Sequence, residues 1–350
     1  MTSTLTPSPQ PSLSRFGQPE LSSAAGVLRR HADNPSAFLA LNADTEHFQV
    51  TGIDGLIAYR AAGRRHLVQL GGVFAAPEDQ GWLLRAFLAA AAQNSRRVMS
   101  VQLNRAGADG YAAHGFTVNQ FGASYARSLA SFTLKGGAHM RLRNKLSRAR
   151  RMGVEVSEVG VDRPASPGVD AQLSSLDQIW LRAKGRHVKE LAFLVGERGG
   201  PAAALRRLFL AHFDDRLIGY ISYSPVYGSR PGWLHDLSRR LPDAPPGAME
   251  LVVLASIERF RAESAEYLHF GLTPFTGLDP RHEIASAGST TAARVVRLLA
   301  ERGQAIYPAA DQLAYKEKWG PDVVLPEYVA FQRGVRPAAV WQLLRLTRAM

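Results

Sequence analysis

Two apolar runs flank an acidic pair in LFLAHFDDRLIGYISYSPV, residues 208–226. Apolar and polar residues alternate in both runs and Asp214-Asp215 is a two-residue turn signal, so the stretch predicts a β-hairpin. Downstream, residues 247–263 predict a long helix, EYLHFGL at 266–272 a strand, and residues 294–301 a shorter helix. The predicted order is therefore hairpin, long helix, strand, short helix.

The first half of the chain repeats this order. FLALN at 38–42 begins a β-rich stretch, residues 47–74 predict antiparallel strands, Pro77 opens a helix, and RVMSVQL at 97–103 predicts another strand. This order resembles that of the GNAT acyltransferase fold, a mixed sheet whose middle strands splay apart to admit an activated acyl donor. The predicted fold class is α/β (α+β), with two tandem GNAT-like folds and mixed sheets flanked by helices.

This order also predicts where the chain divides. The expected parts are a disordered tail at 1–19, an N-terminal GNAT-like domain at 20–130, a basic linker helix and first strand at 131–160, and a C-terminal catalytic GNAT-like domain at 161–350.

The composition is that of a globular protein, with 46% hydrophobic and 21% charged residues. The chain has no cysteine, which excludes disulfides and thiolate metal sites. The first nineteen residues lack the apolar core of a signal peptide, and no run of about 18 apolar residues predicts a transmembrane helix. We therefore expect a cytoplasmic protein with at most peripheral contact at the inner membrane face.

Positive charge is concentrated in one segment. The net charge is +12, and residues 131–200 hold 13 basic against 7 acidic residues. Within them MRLRNKLSRARRMG, residues 140–153, predicts a helix with one apolar stripe, and its other faces are basic. The helix is a nucleic-acid handle, an anionic-membrane patch or a solvated face, and its lack of compensating acidic residues favours an anionic partner. Its basic residues are Arg141, Arg143, Lys145, Arg148, Arg150 and Arg151.

A second candidate site lies in GWLHDLSRRLPDAPPGAMELVVLASI. Asp236 and Arg239 are predicted where a strand ends, near the N-terminus of the helix that follows. A carboxylate there can accept a proton from an attacking hydroxyl or hold a substrate ammonium group. The alternative is an Asp–Arg pair that only braces the turn.

Two further segments carry weaker signals. In YLHFGLTPF, Gly271 and Pro274 predict a tight loop that either brings the backbone close to a ligand or is a plain turn. In LAYKEKWGP, Lys316 and Lys318 flank Glu317 at a helix end, where lysines either grip phosphates or form soluble surface.

Several common active-site signatures are missing from the sequence. The strict acetyl-CoA loop, Gln/Arg-x-x-Gly-x-Gly/Ala, has no copy, because RAAGRR, RLIGYI and RRMGVE each differ at the last position. HExxH, GxSxG, Walker and GxGxxG motifs are absent and the ten histidines are scattered, so we expect no metal site.

Five segments in the same order resemble one family. This family is the C-terminal catalytic domain of the bacterial phosphatidylglycerol lysyltransferases, or aminoacyl-phosphatidylglycerol synthases, here in a soluble, stand-alone form. SFTLKGGAHMRLRNKLSRARRMGVEV resembles its Phe-x-Leu-Lys-Gly and Leu-Arg-Asn segment, and KELAFLVG its Lys-Glu-Lys-Gly-Phe-Ser-Leu-Gly. HDLSRRLPDAPPGAMELVV resembles its Asp-Leu-Met-Arg and Pro-x-Gly-Met loop. FGLTPFTGL and YKEKWGP resemble its Leu-Gly-x-Ala-Pro-Leu-Ser-Gly and Phe-Lys-Glu-Lys-Phe-x-Pro.

The resemblance implies transfer of an aminoacyl group from aminoacyl-tRNA, the co-substrate, to a hydroxyl acceptor, foremost phosphatidylglycerol or a related lipid. No other cofactor is implied, because the ester on the tRNA is already activated. The catalytic residues implied are Asp236, Arg239 and Glu190, with Asp236 contacting the reacting amine or hydroxyl. The residues expected to bind substrate are Lys316, Glu317, Lys318, Gly271, Pro274, Arg141, Arg143, Lys145 and Arg148.

The chain also departs from the family pattern. It lacks the membrane-embedded flippase half of the full-length lipid enzymes, so we expect no bilayer anchor. The family's Trp-Glu-Pro-Arg-Tyr becomes VVLPEYVAF, with Glu327 near the Arg position, and in KELAFLVG Leu191 and Leu194 replace a Lys and a Ser. These departures leave the acceptor and the transferred amino acid open.

Three alternatives remain at the level of sequence. The same tRNA-dependent chemistry can serve a soluble acceptor, such as a peptide or metabolite. The fold order alone also suits an acyl-CoA-dependent GNAT N-acyltransferase, and the basic helix alone suits a non-catalytic RNA- or membrane-binding module. The oligomeric state is not encoded in any pattern we find.

Overall fold

The computed structural model describes residues 11–14, 18–183, 193–302 and 309–347. The strands are β1 (Pro11–Ser14), β2 (Glu46–Val50), β3 (Gly55–Ala62), β4 (His66–Ala75), β5 (Arg97–Leu103), β6 (Phe116–Ser128), β7 (Glu155–Glu158), β8 (Arg207–Phe213), β9 (Arg216–Val226), β10 (Gly232–Arg240), β11 (Tyr267–Pro274) and β12 (Val323–Gln332). The helices are α1 (Gln18–His31), α2 (Pro77–Gln93), α3 (Arg105–Ala113), α4 (Met140–Arg151), α5 (Pro167–Ala183), α6 (Ala248–Ala262), α7 (Thr290–Arg302), α8 (Ala309–Glu317) and α9 (Pro337–Leu346).

Local residue chemistry explains where the predicted turn and helix form. Asp214 and Asp215 both have positive φ, 51° and 58°, as the two-residue turn between β8 and β9 requires. Pro77 occupies the first turn of α2 and two acidic residues follow it, which suits the positive end of a helix. The prediction that FLALN begins a β-rich stretch is wrong. Ala37–Leu41 is a buried 3₁₀ turn in which all five residues face apolar surroundings, so their apolar run does not reflect a strand.

The basic segment forms α4, as predicted, and its apolar stripe is buried. Leu142, Leu146 and Ala149 lie in the core between α4 and α6. The exposed faces of α4 carry most of its cations, and exposed Met140 and Met152 lie at its two ends.

All the strands of the described chain belong to one mixed sheet, in the order β1-β2-β3-β4-β5-β12-β6-β11-β10-β9-β8-β7. The order shows an exchange of strands between the two halves. β6, from the first half, pairs with β11 of the second, while β12, from the second half, lies between β5 and β6 of the first. Gly122 permits the β6–β11 approach, since a Cβ there would meet the Thr273 carbonyl oxygen at 2.5 Å.

This exchange crosses the predicted domain boundaries. The final strand, within the expected C-terminal domain 161–350, completes the sheet of the expected N-terminal domain 20–130. In the stretch 1–19, Pro11–Ser14 pairs with β2 and α1 begins at Gln18, so these residues differ from the expected disordered tail. The rest of that stretch lies outside the described residues.

Each half contains one pair of parallel neighbours that separate. β4 and β5 are paired over His66–Leu70 and Arg97–Val101. β10 and β11 are paired only over Gly232–Leu234 and Tyr267–His269, whereas β10 stays paired with β9 as far as Arg240 and β11 with β6 as far as Pro274. The second separation corresponds to the splay of middle strands expected from the sequence, and it positions the site described next.

Candidate functional site

A β-bulge in β10 sets the position of Asp236. His235 is paired with Tyr223 of β9 and Leu237 with Ser222, so Asp236 is the extra residue with no partner opposite it. The bulge lies two residues beyond Leu234, where β10 leaves β11. The sequence predicted Asp236 and Arg239 at a strand end, but the strand continues to Arg240 because β9 supports it along its other edge.

Asp236 forms a buried ion pair with Arg206, and the pair joins the two halves of the molecule. The exposed fractions of their side chains are 1% and 3%, and Arg206 Nε lies 3.2 Å from Asp236 Oδ2. Arg206 Nη2 donates to Asn42 Oδ1 at 2.5 Å, and its guanidinium lies over the Phe38 ring. Burial raises the pKa of Asp236, while Arg206 acts to lower it. Arg206 Nη1 is buried and has no hydrogen-bond partner among the described residues.

Residues 195–197 cover this ion pair. A Cβ on Gly196 would lie 2.2 Å from Asp236 Cγ, so only glycine permits this approach. Glu197 accepts a hydrogen bond from the Ala43 backbone N–H at 2.9 Å, and burial raises its pKa. Asn42 Nδ2 donates to the Val195 carbonyl at 3.0 Å. The carboxylate is thus enclosed by contacts from both halves.

Arg239 belongs to a separate polar cluster. Its guanidinium stacks 3.8 Å above the Trp180 ring, and its Nε lies 3.8 Å from Asp177 Oδ1. Asp177 also accepts hydrogen bonds from Tyr220 Oη at 2.6 Å and from Arg198 Nε at 2.8 Å. Asp236 and Arg239 are therefore not the turn-bracing pair that the alternative interpretation required.

Lys316 lies inside the molecule, beside the splay. Its side chain is buried, its Nζ donates to the Gly271 carbonyl at 2.6 Å, and the ring of Tyr125 lies 5.6 Å away. Burial lowers the pKa of Lys316 to about 7. The structure thus brings Lys316 and Gly271 together, but in the interior and not on the helix surface where a phosphate-gripping lysine was expected. Pro274 ends β11 opposite Gly122.

Glu327 faces the same region from β12. It is 3% exposed, and its Oε1 accepts a hydrogen bond from Ser124 Oγ. Its Oε2 is buried and has no hydrogen-bond partner among the described residues. Burial raises the pKa of Glu327 to about 7, and Ser124 and Lys316 act in the opposite direction. Glu327 was visible in the sequence only as a departure from the family pattern.

Lys318 and Lys145 meet at one carboxylate. Lys318 Nζ lies 3.1 Å and Lys145 Nζ 3.5 Å from Glu250 Oε1, in the first turn of α6. Although burial acts to raise it, the pKa of Glu250 is lowered overall by Lys318 and Lys145. Glu317 is exposed at the end of α8. This cluster ties α4, α6 and α8 together.

The remaining basic residues of α4 divide into two groups. Arg143 Nη1 donates to the carbonyls of Leu134 and Gly136, at 2.5 Å and 2.7 Å, and so clamps the preceding segment. Arg141, Arg148, Arg150 and Arg151 are exposed, and no ion pair joins any of them to a described residue. These exposed arginines, and not Arg143, are available to an external anion.

Sequence reasoning missed part of this site. Arg206 carries no motif, since it only precedes another arginine at the start of β8, and Asn42 is recognisable only once the halves are packed together. Glu190 lies outside the described residues. Within the described ranges no helix has the length and apolar character needed to span a bilayer, and no three His, Asp or Glu side chains are placed to hold a metal ion.

A family model described as phosphatidylglycerol lysyltransferase, C-terminal, matches residues 25–331. No curated protein matches the chain. Two solved structures share the fold: the C-terminal domain of a protein assigned as lysylphosphatidylglycerol synthetase from Agrobacterium fabrum, and L-PGS from Bacillus licheniformis. The first is 22% identical with a TM-score of 0.73, covering 95% of this chain and 96% of that one. The second is 21% identical with a TM-score of 0.73, covering 93% and 96%.

A third structure is a protein of unknown function from Bacteroides thetaiotaomicron, 14% identical with a TM-score of 0.65, covering 92% of this chain and 99% of that one. At these identities the likeness is one of fold. The predicted fold class, two GNAT-like units on a mixed sheet flanked by helices, is confirmed, and so is the family resemblance.

Proposed function

The chain belongs to the family of phosphatidylglycerol lysyltransferase C-terminal domains, and on this premise we propose that it moves an aminoacyl group from aminoacyl-tRNA to a hydroxyl of phosphatidylglycerol or a related lipid. The observation that carries the proposal is the bulge at Asp236. It places a buried carboxylate, paired with Arg206, where β10 and β11 separate.

The transfer reaction requires the protein to orient the substrates more than to activate the aminoacyl ester. The ester that joins an amino acid to tRNA is already reactive, so the protein needs to hold it, accept the proton of the attacking hydroxyl and stabilise the oxyanion. The Asp236 carboxylate suits an ammonium group of the aminoacyl moiety. Arg206 Nη1, a buried donor without a described partner, suits the ester carbonyl oxygen as it gains negative charge. No cofactor is required by this scheme.

The exposed face of α4 supports an anionic substrate. Arg141 and Arg148 are free of described carboxylates, and each phosphate they neutralise releases a counterion. These phosphates are those of the tRNA acceptor end or of lipid headgroups, and either source brings the ester or its acceptor to the splay. Contact with the inner membrane face is peripheral in this scheme.

The test is a transfer assay. Purified protein is incubated with a pool of tRNAs charged with labelled amino acids, together with phosphatidylglycerol vesicles, phosphatidylethanolamine vesicles or a soluble cell extract. We expect label in extracted phosphatidylglycerol, and we expect RNase treatment of the tRNA to abolish it. Label only in the soluble extract would replace the lipid with a soluble acceptor. Labelling that resists RNase, or transfer from acetyl-CoA alone, would contradict the proposal.

A further inference from the structure

Strand exchange places a carboxylate of β12 at the site of the second half. Glu327 lies on the strand that enters between β5 and β6, and it reaches Ser124 of β6. β6 also pairs with β11, which carries Gly271 and its lysine contact. Glu327 and Lys316 are therefore linked through three neighbouring strands, β12, β6 and β11.

The carboxylate is only half satisfied. A buried carboxylate has two oxygens that need donors or a compensating charge, and leaving one without a partner is costly. Ser124 satisfies Oε1, while Oε2 has no partner among the described residues. Lys316 compensates the charge through space, without a direct ion pair in the described contacts. Glu327 Oε2 is therefore a buried hydrogen-bond acceptor to which no described protein group donates.

β10 connects this acceptor to the Asp236 cluster. His235, the neighbour of Asp236, packs 6.0 Å from the ring of Tyr315 and interacts electrostatically with Lys316. Two consecutive residues of β10 thus contact the two clusters. Asp236 pairs with Arg206, and His235 lies beside Tyr315 and Lys316.

We propose that Glu327 Oε2 is the proton acceptor for the attacking hydroxyl, with Lys316 as the positioning residue that keeps Glu327 ionised. This rests on the proposed function. The hydroxyl oxygen bonds to the ester carbonyl carbon and its proton passes to Oε2. The bond from that carbon to the tRNA ribose oxygen then breaks, and the ribose oxygen takes the proton back from Glu327. Atoms and charge balance, and no further reactant is needed.

The raised pKa of Glu327, about 7, supports this role because a base is most effective when its pKa is near the working pH. Among the described residues, the groups that face the pair of Glu327 and Lys316 are Ser124 and Tyr125 from β6, the Gly271 carbonyl from β11, His235 from β10 and Tyr315 from α8.

The first experiment measures aminoacyl transfer to phosphatidylglycerol vesicles against pH. For the wild type we expect kcat/KM to fall below about pH 7, as Glu327 becomes protonated. Glu327→Gln should lower kcat/KM by about 100-fold or more and remove this acid limb. Asp311→Asn, an exposed change on the same helix as Lys316, is the matched control and should behave as wild type.

Ser124→Ala provides an independent readout. Its hydroxyl lowers the pKa of Glu327, so its removal should move the acid limb to higher pH while leaving the carboxylate in place. A merely structural Glu327 predicts no such movement. A wild-type acid limb in folded Glu327→Gln, or an unmoved limb in Ser124→Ala, overturns the inference and leaves the proposed function standing. A wild-type protein that transfers from no charged tRNA overturns the proposed function itself.

Discussion

At the scale of single residues, the site depends on close approach around one carboxylate. Asp236 is fixed by Arg206 and covered by Gly196, which leaves no space for a methyl group. The family motif singled out Asp236 as a candidate. It did not identify Arg206 or Gly196, because nothing local distinguishes one arginine or one glycine from the others before the halves pack together.

Gly196→Ala tests this geometry. The added Cβ would displace the Asp236 carboxylate, and a misplacement of about 1 Å can cost about 100-fold in rate. Gly199→Ala is the matched control, since a Cβ there meets nothing within 4 Å. Steady-state transfer kinetics of both variants would check the prediction, and equal rates would contradict it.

Two buried histidines predict how stability depends on pH. Burial lowers the pKa of His235 to about 3 and of His269 to about 4, and His269 Nε2 makes a hydrogen bond to the Arg230 carbonyl at 2.9 Å. Because both folded pKa values lie below the unfolded value of about 6.5, the stabilisation is complete above that value and is lost as pH falls below it. Between pH 7.5 and pH 5 each histidine should cost about 2 kcal/mol of unfolding free energy.

Urea denaturation at the two pH values checks this. His269→Gln removes one of the titrating groups, so its loss of stability over the same interval should be smaller than that of the wild type by about 2 kcal/mol. An identical loss in the two proteins would show that His269 is not held neutral.

At the scale of elements, α4 was predicted correctly as a basic helix, and the structure assigns its cations different tasks. Arg143 clamps backbone carbonyls and Lys145 pairs with Glu250, whereas Arg141 and Arg148 face solvent. Periodicity gives the buried stripe of a helix. It cannot give the partner that each exposed side chain finds on a neighbouring element.

Neutralisation variants separate these tasks. Arg141→Ala and Arg148→Ala should each reduce the slope of log K against log salt for tRNA or anionic-vesicle binding by about 1, with little change in Tm. Arg143→Ala should lower Tm because its two carbonyl contacts are lost. Filter binding, vesicle sedimentation and thermal melts provide the measurements. Unchanged salt slopes in the exposed variants would remove α4 from the anion site.

The last strand was the main element that sequence reasoning did not place. The hairpin turning at Asp214-Asp215 and the helix opening at Pro77 follow from local chemistry, so both were predicted. β12 contains Pro326, which weakens a strand signal, and its neighbours β5 and β6 lie far away in the sequence. Such non-local pairing leaves no periodic trace in the chain.

At the scale of the whole molecule, the exchanged strands make the two GNAT-like units interdependent. β12 completes the sheet of the first half and β6 borders the second, so neither half has a complete sheet alone. We expect one cooperative unfolding transition in which hydrogen exchange exposes β4 and β10 together. Val329→Pro, which removes a backbone donor inside β12, should destabilise both halves equally. Two separate transitions would contradict this interdependence.

The measurement that tests the account most directly is label on phosphatidylglycerol after incubation with charged tRNA, for the wild type, Asp236→Asn and Asp243→Asn. Asp243 is exposed and pairs only with Arg216 in the described contacts, so its variant is the matched control. The account predicts RNase-sensitive labelling by the wild type and Asp243→Asn, and a loss of about 100-fold or more in Asp236→Asn. Equal labelling by all three proteins, or labelling that survives RNase, would contradict it.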